Sequence, residues 1–127
     1  MKTVLFFGNP LVEKDSLLHR IMPALRSELP DVEFVEAEGS ELPAAKELNI
    51  LDVADGIREV VLIDDVEKLR TERIFSMHDF DLAQNLKMMK RFKMVDKVNI
   101  IAVPSGMGEK TAVEGIKKVL WRGSEFK

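Results

Sequence analysis

Residues 3–15 have the sequence TVLFFGNPLVEKD, and the fold is decided in this stretch. Its first part, Thr3 to Phe7, is apolar without polar alternation, which is typical of a strand buried on both faces. Gly8-Asn9-Pro10 then stops the strand, because these residue types together favour a turn. From Leu17 the apolar residues follow helical spacing, so Asp15 lies where a loop becomes a helix. In open parallel sheets, ligands usually bind beyond the carboxyl ends of the strands, and Asp15 is expected there.

The composition is that of one ordinary globular domain covering residues 1–127. With 46% hydrophobic residues, a chain of 127 residues can bury a core without disulfides or a structural metal. Its 19 basic and 22 acidic residues give a net charge of -3, which lacks the basic excess that binds nucleic acid or anionic membranes. Nucleic acid is therefore not expected as a partner.

The chain contains no cysteine, which excludes disulfides, thiolate metal ligands and a thiol nucleophile. Any metal ion must therefore bind through carboxylate or imidazole groups. Met1-Lys2 leads directly into the first apolar run, and no apolar segment approaches the length of a membrane span. We expect a cytoplasmic protein without membrane insertion.

Strand and helix patterns alternate along the rest of the chain. The predicted strands cover residues 31–37, 58–63 and 98–103, and the predicted helices cover residues 15–28, 41–54, 79–92 and 110–121. Pro23 cannot donate the hydrogen bond that an uninterrupted helix needs at its position, so a kink or break is expected near Met22. The alternation predicts an α/β fold, a single-domain three-layer sandwich in which a mostly parallel twisted sheet of about five strands carries helices on both faces.

Three side chains at strand ends or helix starts are candidates for chemistry: Asp15, Asp64 and His78. Two carboxylates and one imidazole suit a borderline divalent ion such as nickel or zinc. Each residue also has a structural interpretation. Asp15 fits a charge or cap at a helix start, Asp64 a strand end in solvent, and His78 a cap of the following helix.

Two weaker sites remain open. His19 follows Asp15 by four residues, so the two could chelate a metal from one helix face. Gly106-Met107-Gly108 follows the last predicted strand and could approach a phosphate, although it lacks the spacing of the common nucleotide-binding motifs.

Four short segments of the chain occur in a characteristic order. They are Gly8-Asn9-Pro10-Leu11 followed by Asp15, then Glu38-Gly39-Ser40, then Val60-Val61-Leu62-Ile63-Asp64, and finally Ser76-Met77-His78-Asp79 with Leu82. In this order and spacing they resemble the hydrogenase maturation protease family. The resemblance covers most of the chain up to about Val103 and implies a soluble α/β endopeptidase.

By this resemblance, the protein would remove the C-terminal extension from the large-subunit precursor of a nickel-iron hydrogenase after nickel loading, acting as a monomer. Asp15, Asp64 and His78 match the metal ligands of the family and would form the catalytic group. Asn9, with Gly8, would fix the loop or contact the substrate. Nickel would arrive with the substrate, and another divalent metal is an alternative. The residues are compatible with an ion that polarises the scissile carbonyl and with one that only marks the loaded substrate.

The competing hypothesis is a binding module that is not a peptidase. Its site would consist of Asp64-Asp65 and the Gly106-Met107-Gly108 loop, holding magnesium or a phosphorylated ligand. Magnesium prefers a shell of oxygen ligands, so His78 would have no role in such a site.

Overall fold

The computed structural model describes residues 2–6, 17–36, 45–54, 56–63, 88–89 and 91–125. These residues form five strands and two long helices. In chain order they are β1 (Lys2–Phe6), α1 (Leu17–Glu28), β2 (Val32–Glu36), β3 (Ala45–Ala54), β4 (Val61–Ile63), β5 (Val95–Pro104) and α2 (Glu109–Glu125).

The strands form one sheet in the order β2-β1-β3-β5-β4. Three of the four pairings are parallel, and only β4 runs antiparallel to its neighbour β5. In the register, Phe6 pairs with Glu36 on one side and with Leu51 on the other. The carboxyl ends of β1, β2, β3 and β5 therefore lie at one edge of the sheet, which we call the carboxyl edge. The predicted α/β fold with a mostly parallel five-stranded sheet is confirmed.

Each face of the sheet has its own apolar core. The first core lies under α1 and α2, and its sheet residues include Val4, Phe6, Phe34, Leu51, Val53, Ile101 and Val103. The second core lies on the opposite face and includes Leu5, Leu48, Ile50, Ile63, Val98, Ile100 and Ala102, with Met89 packed against them. Because side chains alternate along a strand, β3 and β5 contribute to both cores. They are the central strands of the sheet.

The prediction of a helix over residues 41–54 was wrong, because residues 45–54 form the central strand β3. The apolar residues of this segment fit a helical spacing about as well as they fit a strand. A strand buried on both faces shows no clean alternation, so periodicity alone could not separate the two possibilities. Pairing with both β1 and β5 decides in favour of the strand.

The expected helix around residues 15–28 is confirmed as α1, but it is not broken near Met22. α1 continues as one helix through Pro23 to Glu28. Proline at this position removes the hydrogen bond to the carbonyl of His19. Met22 and Leu25 lie on either side of it and are both buried in the first core, so packing offsets the lost bond.

The remaining predictions hold with adjusted limits. The strand expected over residues 98–103 is the longer β5, the one over residues 58–63 is the short β4, and the helix over residues 110–121 is α2. Of the helix predicted over residues 79–92, the structure describes only residues 88, 89, 91 and 92, and the first three are helical. Within the described part of the chain, no helix is both long and apolar enough to cross a membrane.

Gly115 lets α2 approach the chain just before β4. A Cβ atom added at Gly115 would lie 2.6 Å from Cγ2 of Val60. Alanine would gain about 1 kcal/mol in helix propensity, but valine is stiff about χ1, and overpacking costs about 1–3 kcal/mol. We therefore expect Gly115→Ala to lower the free energy of unfolding in urea. Adding Val60→Ala should restore part of the loss, whereas a Gly115→Ala variant more stable than wild type would contradict this packing.

An ion pair connects the two helices on the first face. Lys117 Nζ in α2 lies 2.8 Å from Glu28 Oε1 in α1 and 3.8 Å from Glu114 Oε1. The hydrogen bond to Glu28 raises the pKa of Lys117 above its ordinary value of 10.5. A raised pKa stabilises the fold fully below the unfolded pKa, and the contribution is lost as pH rises through the folded value.

Lys117→Met should therefore be slightly less stable than wild type at neutral pH, and the difference should disappear well above pH 10.5. Thermal unfolding at pH 7 and at strongly alkaline pH measures both values. A difference that stays constant across this range would show that the ion pair is not its source.

Candidate functional site

The residues that the sequence singled out lie outside the described part of the chain. This holds for Gly8, Asn9, Asp15, Asp64 and His78. The structure does describe the residues at which their segments begin and end. The segment that contains Gly8, Asn9 and Asp15 follows Phe6, the end of β1, and precedes Leu17, the start of α1.

Both ends of this segment are fixed at the carboxyl edge. Phe6 and Leu17 are buried together in the first core. In sequence, Asp15 precedes the fully buried Leu17 by two residues, and parallel sheets usually bind ligands at the edge where β1 ends.

Asp52 is a carboxylate at this edge that the sequence interpretation missed. It lies in β3, two residues before the end of the strand, and only 3% of its surface is exposed. Its Oδ1 accepts a hydrogen bond of 2.9 Å from the backbone N–H of Val53. Among the described residues, Asp52 is the one polar or charged residue that is buried. Burying a carboxylate is costly unless hydrogen bonds or a cation compensate it, so such a residue is a candidate for function.

The register places Asp52 beside the end of β1, after which the chain continues to Asp15. Leu51 pairs with Phe6, the last described residue of β1. Asp52 therefore lies one position beyond that pair, level with the point where the chain leaves β1. On its other side it pairs with Ala102, whose side chain is buried in the second core.

Asp64 follows a strand that runs in the other direction. Ile63, the end of β4, pairs with Ile100 in the middle of β5. Because β4 is antiparallel, the chain at Ile63 is heading away from the carboxyl edge. The end of β3 therefore lies at the same edge of the sheet as the end of β1, whereas the chain leaves β4 in the opposite direction.

A sequence signal for Asp52 did exist. Ile50-Leu51-Asp52 is a run of apolar residues ending in aspartate, as is Leu62-Ile63-Asp64. Once residues 41–54 are interpreted as a helix, only the second run qualifies as a strand end. Recognition of β3 as the central strand would have made Asp52 a candidate.

His19 is held by a neighbour on β2. Its Nε2 lies 2.8 Å from Oε2 of Glu36, and its ring meets the ring of Phe6 edge to face at 5.5 Å between centroids. Its other nitrogen, Nδ1, is buried. Metal binding through Nε2 of His19 would require this nitrogen to release Glu36. The contacts of His19 instead join the start of α1 to the ends of β1 and β2.

The glycine loop of the competing hypothesis also lies at the carboxyl edge. The N–H of Ser105 donates to the carbonyl of Ala54 at 3.1 Å, which ties the end of β5 to the end of β3. A Cβ atom at Gly106 or Gly108 would meet nothing within 4 Å. Packing within the protein therefore does not require glycine at either position.

The described residues do not by themselves form a metal site. Among them, no three side chains of histidine, aspartate or glutamate are grouped closely enough to hold an ion. A metal site with three such ligands must therefore include side chains from the segments outside the described residues.

The fold belongs to a known class of α/β proteins. The chain is similar in structure to the hydrogenase maturating endopeptidase HybD from E. coli, with a TM-score of 0.64 and 23% sequence identity over 98% of this chain and 93% of that chain. It is also similar to an endopeptidase from Escherichia coli, with a TM-score of 0.54 and 21% identity over 82% of this chain and 74% of that one. No protein-family model and no curated protein sequence matches the chain.

At these identities the likeness defines the fold. The chain has the α/β fold of the hydrogenase maturating endopeptidase along nearly its whole length. The resemblance expected from the sequence is thus confirmed at the level of the fold. The activity of a fold neighbour does not transfer with the fold, since function depends on the residues of the site.

Proposed function

We propose that the protein is a processing endopeptidase that removes the C-terminal extension of a nickel-iron hydrogenase large subunit after nickel loading. The observation that carries the proposal is the buried carboxylate of Asp52 at the carboxyl edge, in a fold shared with a hydrogenase maturating endopeptidase. The order of the segments around Asn9, Asp15 and His78 supports the same substrate class. The proposed protein acts in the cytoplasm as a monomer.

The proposed ligands of the substrate's nickel are Asp15, His78 and one strand-end carboxylate. The sequence resemblance assigned Asp64 to the third position. The burial of Asp52 and its register beside the end of β1 support Asp52 for that position, and the antiparallel direction of β4 argues against Asp64. Gly8 and Asn9 keep the proposed role of fixing the loop before Asp15.

An incomplete ligand set explains selectivity for loaded substrate. Two carboxylates and one imidazole leave coordination positions open, so the free protein binds divalent ions weakly. A precursor that carries nickel supplies the ion together with its own ligands. Only the nickel-loaded precursor gains this metal–ligand binding energy. The protein therefore binds it more tightly than the metal-free precursor, and this difference in affinity gives the selectivity.

The test compares nickel-loaded and metal-free precursor as substrates. Each form is incubated with the protein, and loss of the C-terminal extension is followed by mass spectrometry. Cleavage confined to the loaded form is expected. Equal cleavage of both forms would contradict metal gating, and cleavage of neither would contradict the peptidase assignment.

A further inference from the structure

A second surface of the molecule has no role in the proposed peptidase. Residues 87–97 have the sequence KMMKRFKMVDK, in which five basic residues face a single acid, Asp96. This local excess of positive charge contrasts with the net charge of -3 of the whole chain. The segment leads into β5 and includes its first three residues. The first of these, Val95, pairs with Ala45 at the start of β3. The segment therefore lies at the amino ends of the central strands, opposite the carboxyl edge.

Three large apolar side chains of this segment are exposed. Met88 is 55% exposed, Phe92 67% and Met94 48%, and these are the most exposed large hydrophobic residues of the described chain. Three exposed basic side chains, Arg91, Lys93 and Lys97, lie within the same stretch. We call these six residues the amino-edge surface. An apolar centre with a charged rim is the usual anatomy of a protein interface.

The backbone holds the apolar residues outside the core. The N–H of Phe92 donates to the carbonyl of Met88 at 3.0 Å, and the N–H of Met94 donates to the carbonyl of Met89 at 2.8 Å. The second bond closes a six-residue turn from Met89 to Met94, a motif that ends many helices. In this motif the fifth residue has a left-handed backbone conformation. That residue is Lys93, with φ of 57°. Met89 is buried in the second core, while Phe92 and Met94 stay in solvent.

Lys93 occupies a position where glycine is favoured. A left-handed conformation costs a residue with a Cβ atom about 1 kcal/mol relative to glycine. The closure therefore keeps a basic side chain beside Phe92 at some expense in stability. Methionine adds adaptability, because its flexible thioether can fit differently shaped apolar partners.

We propose that the amino-edge surface docks an acidic, amphipathic segment of a partner protein. Charge complementarity identifies the occupant, since exposed cations share this stretch with exposed apolar side chains and would pair with carboxylates flanking apolar side chains. An anionic membrane or a nucleic acid would meet the net negative charge of the rest of the chain, whereas a short segment contacts only the local positive rim. The proposal does not depend on the peptidase function.

The test uses three peptides of about 16 residues, a length at which helices become stable enough to bind. The first carries leucines on one helix face and glutamates elsewhere, the second has lysine for each glutamate, and the third has serine for each leucine. Titration of the isotope-labelled protein by NMR gives affinities and maps the site. Only the first peptide should bind, and it should shift the amide signals of residues 88–94.

Single substitutions of the protein sharpen the test. Phe92→Ser should weaken binding of the acidic peptide at least about tenfold, because a central aromatic residue commonly dominates an interface. Arg91→Gln should weaken it less and should flatten its dependence on salt concentration. The matched control is Val35→Ser. Val35 is an exposed apolar residue on the edge strand β2, which β1 and β3 separate from β5, so its loss should leave the affinity unchanged. Circular dichroism verifies that each variant is folded.

Several results would overturn the proposal. They are no binding of the acidic peptide at about 1 mM, equal binding of the acidic and basic peptides, or an affinity that Phe92→Ser does not change. Binding of wild type to vesicles that contain phosphatidylglycerol, without binding of the acidic peptide, would assign the surface to a membrane instead. Binding of a DNA duplex under the same condition would assign it to nucleic acid.

Discussion

Replacing Asp52 by asparagine is expected to slow cleavage of nickel-loaded precursor about 100-fold or more. Asparagine keeps the size of the side chain but removes the negative charge that the proposed site directs at the ion. Loss of a single metal-site contact commonly costs 10- to 100-fold, and a direct ligand costs more. The measurement is kcat/KM for the loaded precursor with wild type and Asp52→Asn.

Two companion variants separate the possible carboxylates. Asp64→Asn should retain most activity if Asp52 is the strand-end ligand. Asp96→Asn removes an exposed acid at the amino end of β5 and should leave cleavage unchanged. Loss of activity in Asp64→Asn with full activity in Asp52→Asn would restore the assignment drawn from the sequence.

The stability of Asp52→Asn distinguishes a functional role from a structural one. A buried charge that serves a site usually costs stability, so its neutralisation leaves the melting temperature unchanged or raises it. A large drop in melting temperature would instead show that the carboxylate holds the fold together. The activity loss would then follow from unfolding rather than from the missing charge.

Replacing Leu51 by alanine is expected to lower the free energy of unfolding by about 2–5 kcal/mol. Leu51 has no exposed surface and lies in the first core, between its register partners Phe6 and Ile101. Truncation leaves a cavity in the middle of the central strand, where rigid strands on both sides limit collapse. A domain of this size has a total stability of only about 5–15 kcal/mol, so the variant should be close to unfolding at 37 °C.

Chemical unfolding in urea measures this effect. Val35→Ala is the control, because Val35 is 38% exposed on the edge strand β2, and its truncation should cost less than about 1 kcal/mol. Comparable losses in the two variants would contradict the position of β3 as the centre of the sheet.

The parts of the fold that follow from local sequence were predictable. The buried residues of α1, Leu17, Leu18, Ile21, Met22 and Leu25, are those that helical spacing selects. β1 and β5 contain the uninterrupted apolar runs Val4-Leu5-Phe6 and Ile100-Ile101-Ala102-Val103, each followed closely by a glycine or proline motif. In these elements, local preference and tertiary packing favour the same structure.

The parts that depend on neighbours were not predictable. Residues 45–54 become a strand because β1 and β5 supply hydrogen-bonding partners on both sides, which no local pattern records. The antiparallel direction of β4 is likewise a property of the sheet rather than of residues 61–63. The helix predicted over residues 41–54 also affected the site, because it left Asp52 out of the strand-end candidates.

A metal site at the carboxyl ends of β1 and β3 should bind paramagnetic nickel, and NMR spectroscopy locates the bound ion. Weak binding in fast exchange broadens the NMR signals of amides near the ion. The chain has two histidines, His19 and His78, and His19 also lies near this edge. His19 could therefore bind nickel by itself, so the titration uses the His19→Gln variant, in which this histidine is absent.

In that variant, titration with nickel should broaden the amide signals of Phe6 and Asp52 first. The signals of Lys46 and Val95 should remain sharp, because Asp52 and its partner Ala102 are about 20 Å away along the strands. Adding Asp52→Asn should abolish the broadening. Broadening centred on Ile63, or broadening that persists without Asp52, would contradict the account.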